Sequence, residues 1–362
     1  MLPSRIKPIL HPPRPPPSTI HPAARPSSPA LSSTSTSTDT DPEDVLTSFL
    51  PHLFPDEAPS CLGEPGKAVA YASGIWGDVT VMVPDYPKEE EEEEGEDGQG
   101  EDVLEGGGGV EEGRRLFAHY LWGGGLVIAE GIERGAAGSR GERDMLWRVE
   151  GERVLEVGAG AALPSLIASL AGAAQVTITD HPSSPALYGA IQQNITNNIP
   201  AHIRSRISIQ PHEWGVLSPA PQDVGEIEGG GQTRAVQFAV ENKASFTRVI
   251  AADCLWMRDQ HENLARSLLW FLAPPCPAAI KGGGGGGVAW VVAGFHTGRE
   301  IVASFFETAV AMGLVVERIW ERDVNATSEE GEVTREWMAV RPGEGPENRA
   351  RWCVVAFLRR GE

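Results

Sequence analysis

The chain has 362 residues, 41% of them hydrophobic, and a formal net charge of −20, so it is long enough for one large domain or two smaller ones with ample core. Such acidity makes nucleic acid an unexpected partner, and no apolar run reaches the roughly 18 residues a membrane span needs. Four cysteines, Cys61, Cys254, Cys276 and Cys353, are scattered without the paired spacing of a zinc site or a disulfide framework, which fits a reducing compartment and makes the cytoplasm the expected location.

Residues 1–40 carry ten prolines and thirteen Ser or Thr with few large apolar side chains, too little burial to offset the entropy of ordering, and 1–43 is read as a disordered tail. Arg5, Lys7, Arg14 and Arg25 against Asp39 resemble the charge of an organelle transit peptide, but the prolines oppose the amphipathic helix such a peptide needs. Residues 44–87 are read as a cap: a short amphipathic helix from Asp44 to Phe54, then a strand pair from Val69 to Val83 around Gly74 and Gly77. The acidity is concentrated in an insert, 88–113. Thirteen acids and no base lie between 89 and 112, which leaves an ordinary −7 for the remainder. A block of this kind repels itself and is expected to be a solvated, disordered loop, with steering of a basic substrate as its alternative role.

Residues 114–360 are read as one α/β domain. Arg114 to Gly123 lead into a helix from about Gly125 to Glu133, and Trp122 beside three glycines is either an edge residue closing the core or a lid against a planar ligand. The stretch from Arg153 to Asp180 is the centre of the pattern. Val154–Val157 is an apolar strand, Gly158-Ala159-Gly160 a tight turn, Leu163 to Leu170 a helix by apolar spacing, and Gln175–Asp180 a second strand. Glycines at 158 and 160 let a ligand lie on bare main chain at a helix N-terminus, and Asp180, twenty residues on, falls where a ribose diol would sit. A dinucleotide turn has a third glycine where Leu163-Pro164 stand, and no Lys-Ser/Thr pair follows to make a phosphate loop. Glu156 adds negative charge that repels phosphate and suits an ammonium group. S-adenosylmethionine has the ammonium and no phosphate, and is the cofactor expected.

Downstream, a helix is expected over Ala186–Asn198 and a strand over Ile207–Gln210, ending in His212-Glu213-Trp214-Gly215. Residues 217–246 read as a low-pattern insert. A strand over 248–255 ends in Asp253-Cys254-Leu255-Trp256, and a helix follows over Gln260–Phe271. A glycine linker, 282–287, precedes a strand over Val288–Phe295, a helix over Arg299–Met312 and two last strands, Leu314–Trp320 and Trp352–Leu358, expected to pair antiparallel at an edge. The total is seven strands.

Seven strands with Glu156-Val-Gly-Ala-Gly160, Asp180 after the second and Asp253 after the fourth resemble class I S-adenosylmethionine-dependent methyltransferases. The expected fold is therefore α/β, a Rossmann-like seven-strand sheet with helices on both faces. Tyr120-Leu-Trp-Gly123, the run Val157 to Ser165, Glu213-Trp214-Gly215, Ala252-Asp-Cys-Leu-Trp256, Thr297-Gly298-Arg299 and Arg335-Glu336-Trp337 are similar to the fungal lysine methyltransferases that modify the N-terminus and adjacent lysine of translation elongation factor 1-alpha, members of which were often labelled nicotinamide N-methyltransferase. The resemblance covers most of residues 115–358. It implies a cofactor pocket formed by Trp122, Gly158, Ala159, Gly160, Asp180, Trp214 and Ala252, and places Asp253 and Trp256 in the acid-x-x-aromatic motif of such enzymes. Gly123-Gly124-Gly125 departs from the bulkier residues usual there. The Asn/Asp-Pro-Pro-Tyr signature of DNA and glutamine methylation is absent after the fourth strand.

The implied reaction is an in-line displacement in which the enzyme holds a neutral amine against an electrophilic methyl. Asp253 orients the amine or accepts its proton, directly or through water, with a strand-end cap as the alternative; Trp256 and Trp337 are candidates to stack on the substrate cation, Trp337 equally a core residue; His261 reads as structural. A monomer acting on a protein is expected. A small-molecule amine methyltransferase of the nicotinamide kind and a binding module without turnover are the alternatives.

Overall fold

The computed structural model describes residues 3–9, 61–85, 120–138, 141–218, 230–275, 286–326 and 331–361. Its N-terminal part is a three-stranded antiparallel sheet in which β1 (Ile6–Pro8) and β4 (Gly77–Met82) flank β3 (Ala68–Ser73), while β2 (Cys61–Leu62) pairs with β5 (Leu121–Trp122). Tyr71, Val79 and Val81 are buried against the main domain, and Asn194 and Asn198 clamp the β4 backbone, accepting from Met82 N at 2.6 Å and Thr80 N at 2.7 Å.

The main sheet holds β6 (Arg153–Val157), β7 (Gln175–Asp180), β8 (Ile207–Pro211), β9 (Arg248–Ala252), β10 (Val288–Gly294), β11 (Leu314–Asp323), β12 (Thr334–Glu336) and β13 (Trp352–Arg360). Across it the order is β12-β11-β13-β10-β9-β6-β7-β8. From β8 to β10 every pairing is parallel; β13 then inserts antiparallel between β10 and β11. All seven residues of β10 are buried, as a strand covered on both faces requires. One face carries α1 (Gly123–Ala136), α3 (Leu163–Leu170) and α4 (Ala190–Asn198), with Leu126, Leu166 and Ile191 in its core; the short α2 (Glu142–Met145) leads to Trp147 in the same core. The other face carries α5 (Gly230–Glu241), α6 (His261–Phe271) and α7 (Arg299–Ala311), with Phe238, Leu264 and Phe305. A last short helix, α8 (Pro346–Ala350), precedes β13. This is the Rossmann-like class I sheet. Its strand order reverses between β6 and β9, which opens a crevice at their carboxyl ends.

Several boundaries differ from the sequence reading. The tail 1–43 is not wholly without structure: β1 pairs with β3, held there by Arg5, whose Nη1 donates to Glu133 at 2.6 Å and to Tyr71 at 3.0 Å. The low-pattern insert 217–246 contains α5, a helix whose buried stripe among the described side chains is Ala235, Phe238 and Ala239, too narrow to stand out among its glycines and polar residues. An eighth strand, β12, is three residues long, too short to show alternation, and makes the edge that the reading gave to the last two strands. The strand expected over 248–255 ends at Ala252 because Asp253 turns left-handed, with φ of 52°. The helix expected from Ala186 is broken at Gly189 into a 3-10 turn and α4. The proposed helix Asp44–Phe54, the acidic insert and most of the glycine linker lie outside the described residues.

Candidate active site

The turn after β6 is built from three left-handed residues, Gly158, Gly160 and Ala162, with φ of 62°, 50° and 61°. Gly158 must be bare: a Cβ there would stand 3.0 Å from both Cys254 Sγ and Trp214 Cζ2. Ala159 N donates to Thr179 O at 3.0 Å, tying the turn to β7, and the Asp180 carboxylate closes it by accepting Gly160 N–H at Oδ2 and His181 N–H at Oδ1, each at 2.7 Å. Glu156, 1% exposed, turns its Oε2 to the start of α3, where it accepts Ser165 N–H at 3.0 Å and the Ser165 hydroxyl. Burial, opposed by those two bonds, pushes its carboxyl up to about 8. It therefore holds a proton at neutral pH, in place of the negative charge the sequence reading expects.

These residues form one wall of a cleft at the carboxyl ends of β6, β7 and β9. The structure brings all ten sequence-predicted positions to it: Trp122, Glu156, Gly158, Ala159, Gly160, Asp180, Trp214, Ala252, Asp253 and Trp256. Trp214 is seated by its neighbours, since Gly215 N donates to Ser267 Oγ at 2.9 Å and the same hydroxyl bonds His212 Nε2 at 3.1 Å. His212 is buried, its imidazole pushed down to about 4 by desolvation, so it is a neutral anchor. Trp337 is not brought to the cleft; it stacks on Phe295 with ring centres 6.0 Å apart and packs edge-on to Phe306 in the second core. His261 is structural as read, bonding Leu255 O at 3.0 Å.

Asp253 has a role that spacing alone does not reveal. Its Oδ2 accepts Gly124 N–H at 2.6 Å and its Oδ1 accepts Gly294 N–H at 2.8 Å, so one carboxylate joins the start of α1 to the end of β10. Trp122, at the N-cap of α1, makes no side-chain cap bond; Asp253 does that work from across the sheet. The middle glycine of the triplet follows from this, because a Cβ on Gly124 would lie 2.5 Å from Asp253 Oδ2 and 2.8 Å from Val292 O. Sequence reasoning missed His296, whose ring lies 4.7 Å from Trp122 and whose Nε2 is 3.8 Å from Asp253 Oδ1; it follows β10 with no motif to mark it.

The donor set discriminates between ligands. Glu156, Asp180, Glu213 and Asp253 line the cleft, and no Lys or Arg does among the described residues. A pyrophosphate would meet Asp180, Glu213 and Asp253 with no Lys or Arg among the described lining residues to offset them, whereas a phosphate-free nucleoside with a cationic group fits the bare turn, the Asp180 carboxylate and the indole walls. No group of His, Cys, Asp and Glu suited to a metal ion occurs among the described residues, and no helix among them is long and apolar enough to cross a membrane.

A family model described as lysine methyltransferase matches residues 109–224. The chain is 26% identical over 223 residues to the protein N-terminal and lysine N-methyltransferase EFM7 of Candida glabrata, covering 61% of this chain and 73% of that protein. It is 28% identical over 210 residues to the enzyme of the same name in Schizosaccharomyces pombe, covering 57% and 68%. Among solved structures, an S-adenosylmethionine-dependent methyltransferase from Mesorhizobium loti is 13% identical with a TM-score of 0.37, covering 60% of this chain and 95% of that one. The matches to these protein methyltransferases bear out the resemblance carried by the motifs.

Proposed function

We propose that this chain, similar over more than half its length to the N-terminal and lysine methyltransferases, is an S-adenosylmethionine-dependent protein methyltransferase whose target is the N-terminal amine and adjacent lysine of translation elongation factor 1-alpha. The observation that carries the cofactor reading is the cleft itself, a glycine turn closed by Asp180 with acids and indoles around it and no Lys or Arg among the described residues. Asp180 would hold the ribose hydroxyls, the Gly158–Gly160 main chain would lie against the ligand, and Trp122, Trp214 and Ala252 would wall it in. When bound, the cofactor supplies an electrophilic sulfonium methyl.

The chain's own residues then have one main task, to hold a neutral amine in line and keep water out. Asp253 and Trp256 stand at the acceptor side of the cleft, the first a fixed negative charge and the second an aromatic face for a substrate cation. An α-amino group, titrating near ~8, is the easier acceptor at neutral pH than a lysine near ~10.4. The buried free thiols Cys254 and Cys353 suit a reducing compartment such as the cytoplasm.

Incubation with methyl-labelled cofactor and recombinant elongation factor 1-alpha bearing an unmodified N-terminus tests the reading, with nicotinamide in a parallel reaction. Label on the first residues of the factor is the expected result. Label in nicotinamide alone would make the acceptor a small amine, and no transfer to either would overturn the assignment.

A further inference from the structure

Three polar residues, Gln260, Asn263 and Ser267, follow one another at helical spacing along α6 and its entry, on the face turned to the loop after β8. Ser267 Oγ accepts Gly215 N–H at 2.9 Å and bonds His212 Nε2 at 3.1 Å. One turn earlier Asn263 packs on the main chain of Gly215, so closely that a Cβ there would stand 2.5 Å from Asn263 Oδ1. Gln260, at the N-cap of α6, reaches the cleft that Trp214 also lines. The stripe therefore ties the Trp214 loop to a carboxamide in the cleft wall. We propose that Gln260 Nε2 donates a hydrogen bond to a ring nitrogen of the cofactor's adenine, an inference that rests on the methyltransferase reading above.

Which atom of the carboxamide meets the ligand is decided by its neighbours. Arg266 carries donors only, and its Nη1 donates to Asn263 Oδ1 at 3.5 Å, which turns the oxygen of Asn263 to Arg266 and its nitrogen to Gln260. Asn263 Nδ2 donates to Gln260 Oε1 at 3.0 Å. On the other side the Asp259 carboxylate is an acceptor and takes one hydrogen of Gln260 Nε2 at 3.3 Å. A donor-only guanidinium at one end and an acceptor at the other give the relay a single direction. Gln260 is left with a second Nε2 hydrogen that no described residue accepts, on a side chain that lines the cleft.

Asp180, Glu213 and Asp253 supply the same cleft with acceptors, which suit the hydroxyls and ammonium of an S-adenosyl ligand. Its ring nitrogens accept, and they require a donor. The glycine turn stands at the end of β6, Asp180 at the end of β7 and the Trp214 loop after β8. With the ribose on Asp180, the base falls on the β8 side, where Asn263 and Ser267 hold the Gln260 end of α6 against that loop. A flat ring that takes the indole of Trp214 as a wall offers its edge to an amide donor.

Calorimetry on the full chain with S-adenosylhomocysteine and with methylthioadenosine, which lacks the amino-acid end, tests this. Gln260→Ala should weaken both by the same factor, about 3- to 10-fold, the range of one neutral hydrogen bond. Among the deaza forms of methylthioadenosine, in which one ring nitrogen at a time becomes C–H, one should bind wild type and Gln260→Ala alike, because it lacks the bonded nitrogen. A loss confined to S-adenosylhomocysteine would assign the amide to the amino-acid carboxylate and overturn the adenine contact; a loss that persists with every deaza form would overturn it too. Asn263→Asp keeps the shape and replaces the donor by an acceptor, so the Gln260 amide must turn over. That variant should lose the same factor, with nothing further lost when Gln260→Ala is added, and binding as tight as wild type would overturn the relay. Wild type that binds neither ligand refutes the methyltransferase reading itself, whereas tight binding by wild type and Gln260→Ala alike refutes only the role of Gln260.

Discussion

Glu156 is a carboxyl group buried beside a second acid, Asp180, and hydrogen-bonded only from Ser165, which is why its proton is held up to about 8 against an ordinary value of 4.5. Between those two values the folded chain keeps a proton that the unfolded chain has lost, so this residue makes stability fall as pH rises from about 4.5 through 8. Glu156→Gln keeps an oxygen for Ser165 and has nothing to titrate. Its urea midpoint should therefore gain steadily on wild type across that window, and parallel pH profiles would contradict the buried protonated state. Asp180 works differently, with both oxygens on main-chain donors and the carboxylate facing the cleft. Asp180→Ala loses charged hydrogen bonds worth about 1.5–3 kcal/mol each and should weaken S-adenosylmethionine at least ~10-fold by calorimetry, with folding checked alongside.

At the scale of elements, the junction of α1, β9 and β10 is governed by Asp253. Its left-handed φ of 52° is tolerated by Asp and Asn better than by most side chains, so Asp253→Asn preserves the backbone. The amide cannot preserve the bonding. One of its two ends must donate, and both Gly124 and Gly294 present N–H groups there, so one bond is replaced by opposed donors. The expected cost is about 1–3 kcal/mol in chemical unfolding, accompanied by loosened packing of Trp122. A variant as stable as wild type would show that the carboxylate does not anchor the helix. Gly131 shows the same logic further along α1, where a Cβ would fall 2.6 Å from the buried Trp147 ring.

At the scale of the whole molecule, the main sheet is joined to an N-terminal sheet by polar side chains rather than by a large apolar face alone. Arg5 reaches Glu133 of α1 at 2.6 Å, while Asn194 and Asn198 of α4 grip β4. Glu133 is 4% exposed, so removing its cation leaves a nearly buried carboxylate with Gly74 N at 3.4 Å as its remaining donor here. Arg5→Ala should lower stability by about 1–2 kcal/mol, less at high salt because Arg5 itself is partly exposed, and thermal unfolding in low and high salt would show it. A salt-independent melting temperature equal to that of wild type would assign β1 a passive place on the sheet.

The strand-turn-helix-strand unit from Arg153 to Asp180 and most of the alternating elements after it were legible in the chain, because apolar period and glycine position are local properties. Glu156, the Gly158–Gly160 turn and Asp180 were legible in the same way, since an open α/β sheet delivers its strand ends to one crevice, whereas Trp122, Trp214, Ala252, Asp253 and Trp256 were placed there by the family resemblance of their motifs. What lay beyond local pattern was decided by contacts distant in sequence. The N-terminal strand forms because Arg5 finds an acid 128 residues away, and β12 because it borders β11. Gly124, in the middle of its triplet, makes sense only once Asp253 is found 129 residues on, and the ring of His296 comes near Asp253 only where Gly294 leaves it room. Burial also set the proton on Glu156, for the charge of a carboxyl group depends on the water around it, and no spacing of residues records how much water the fold leaves there.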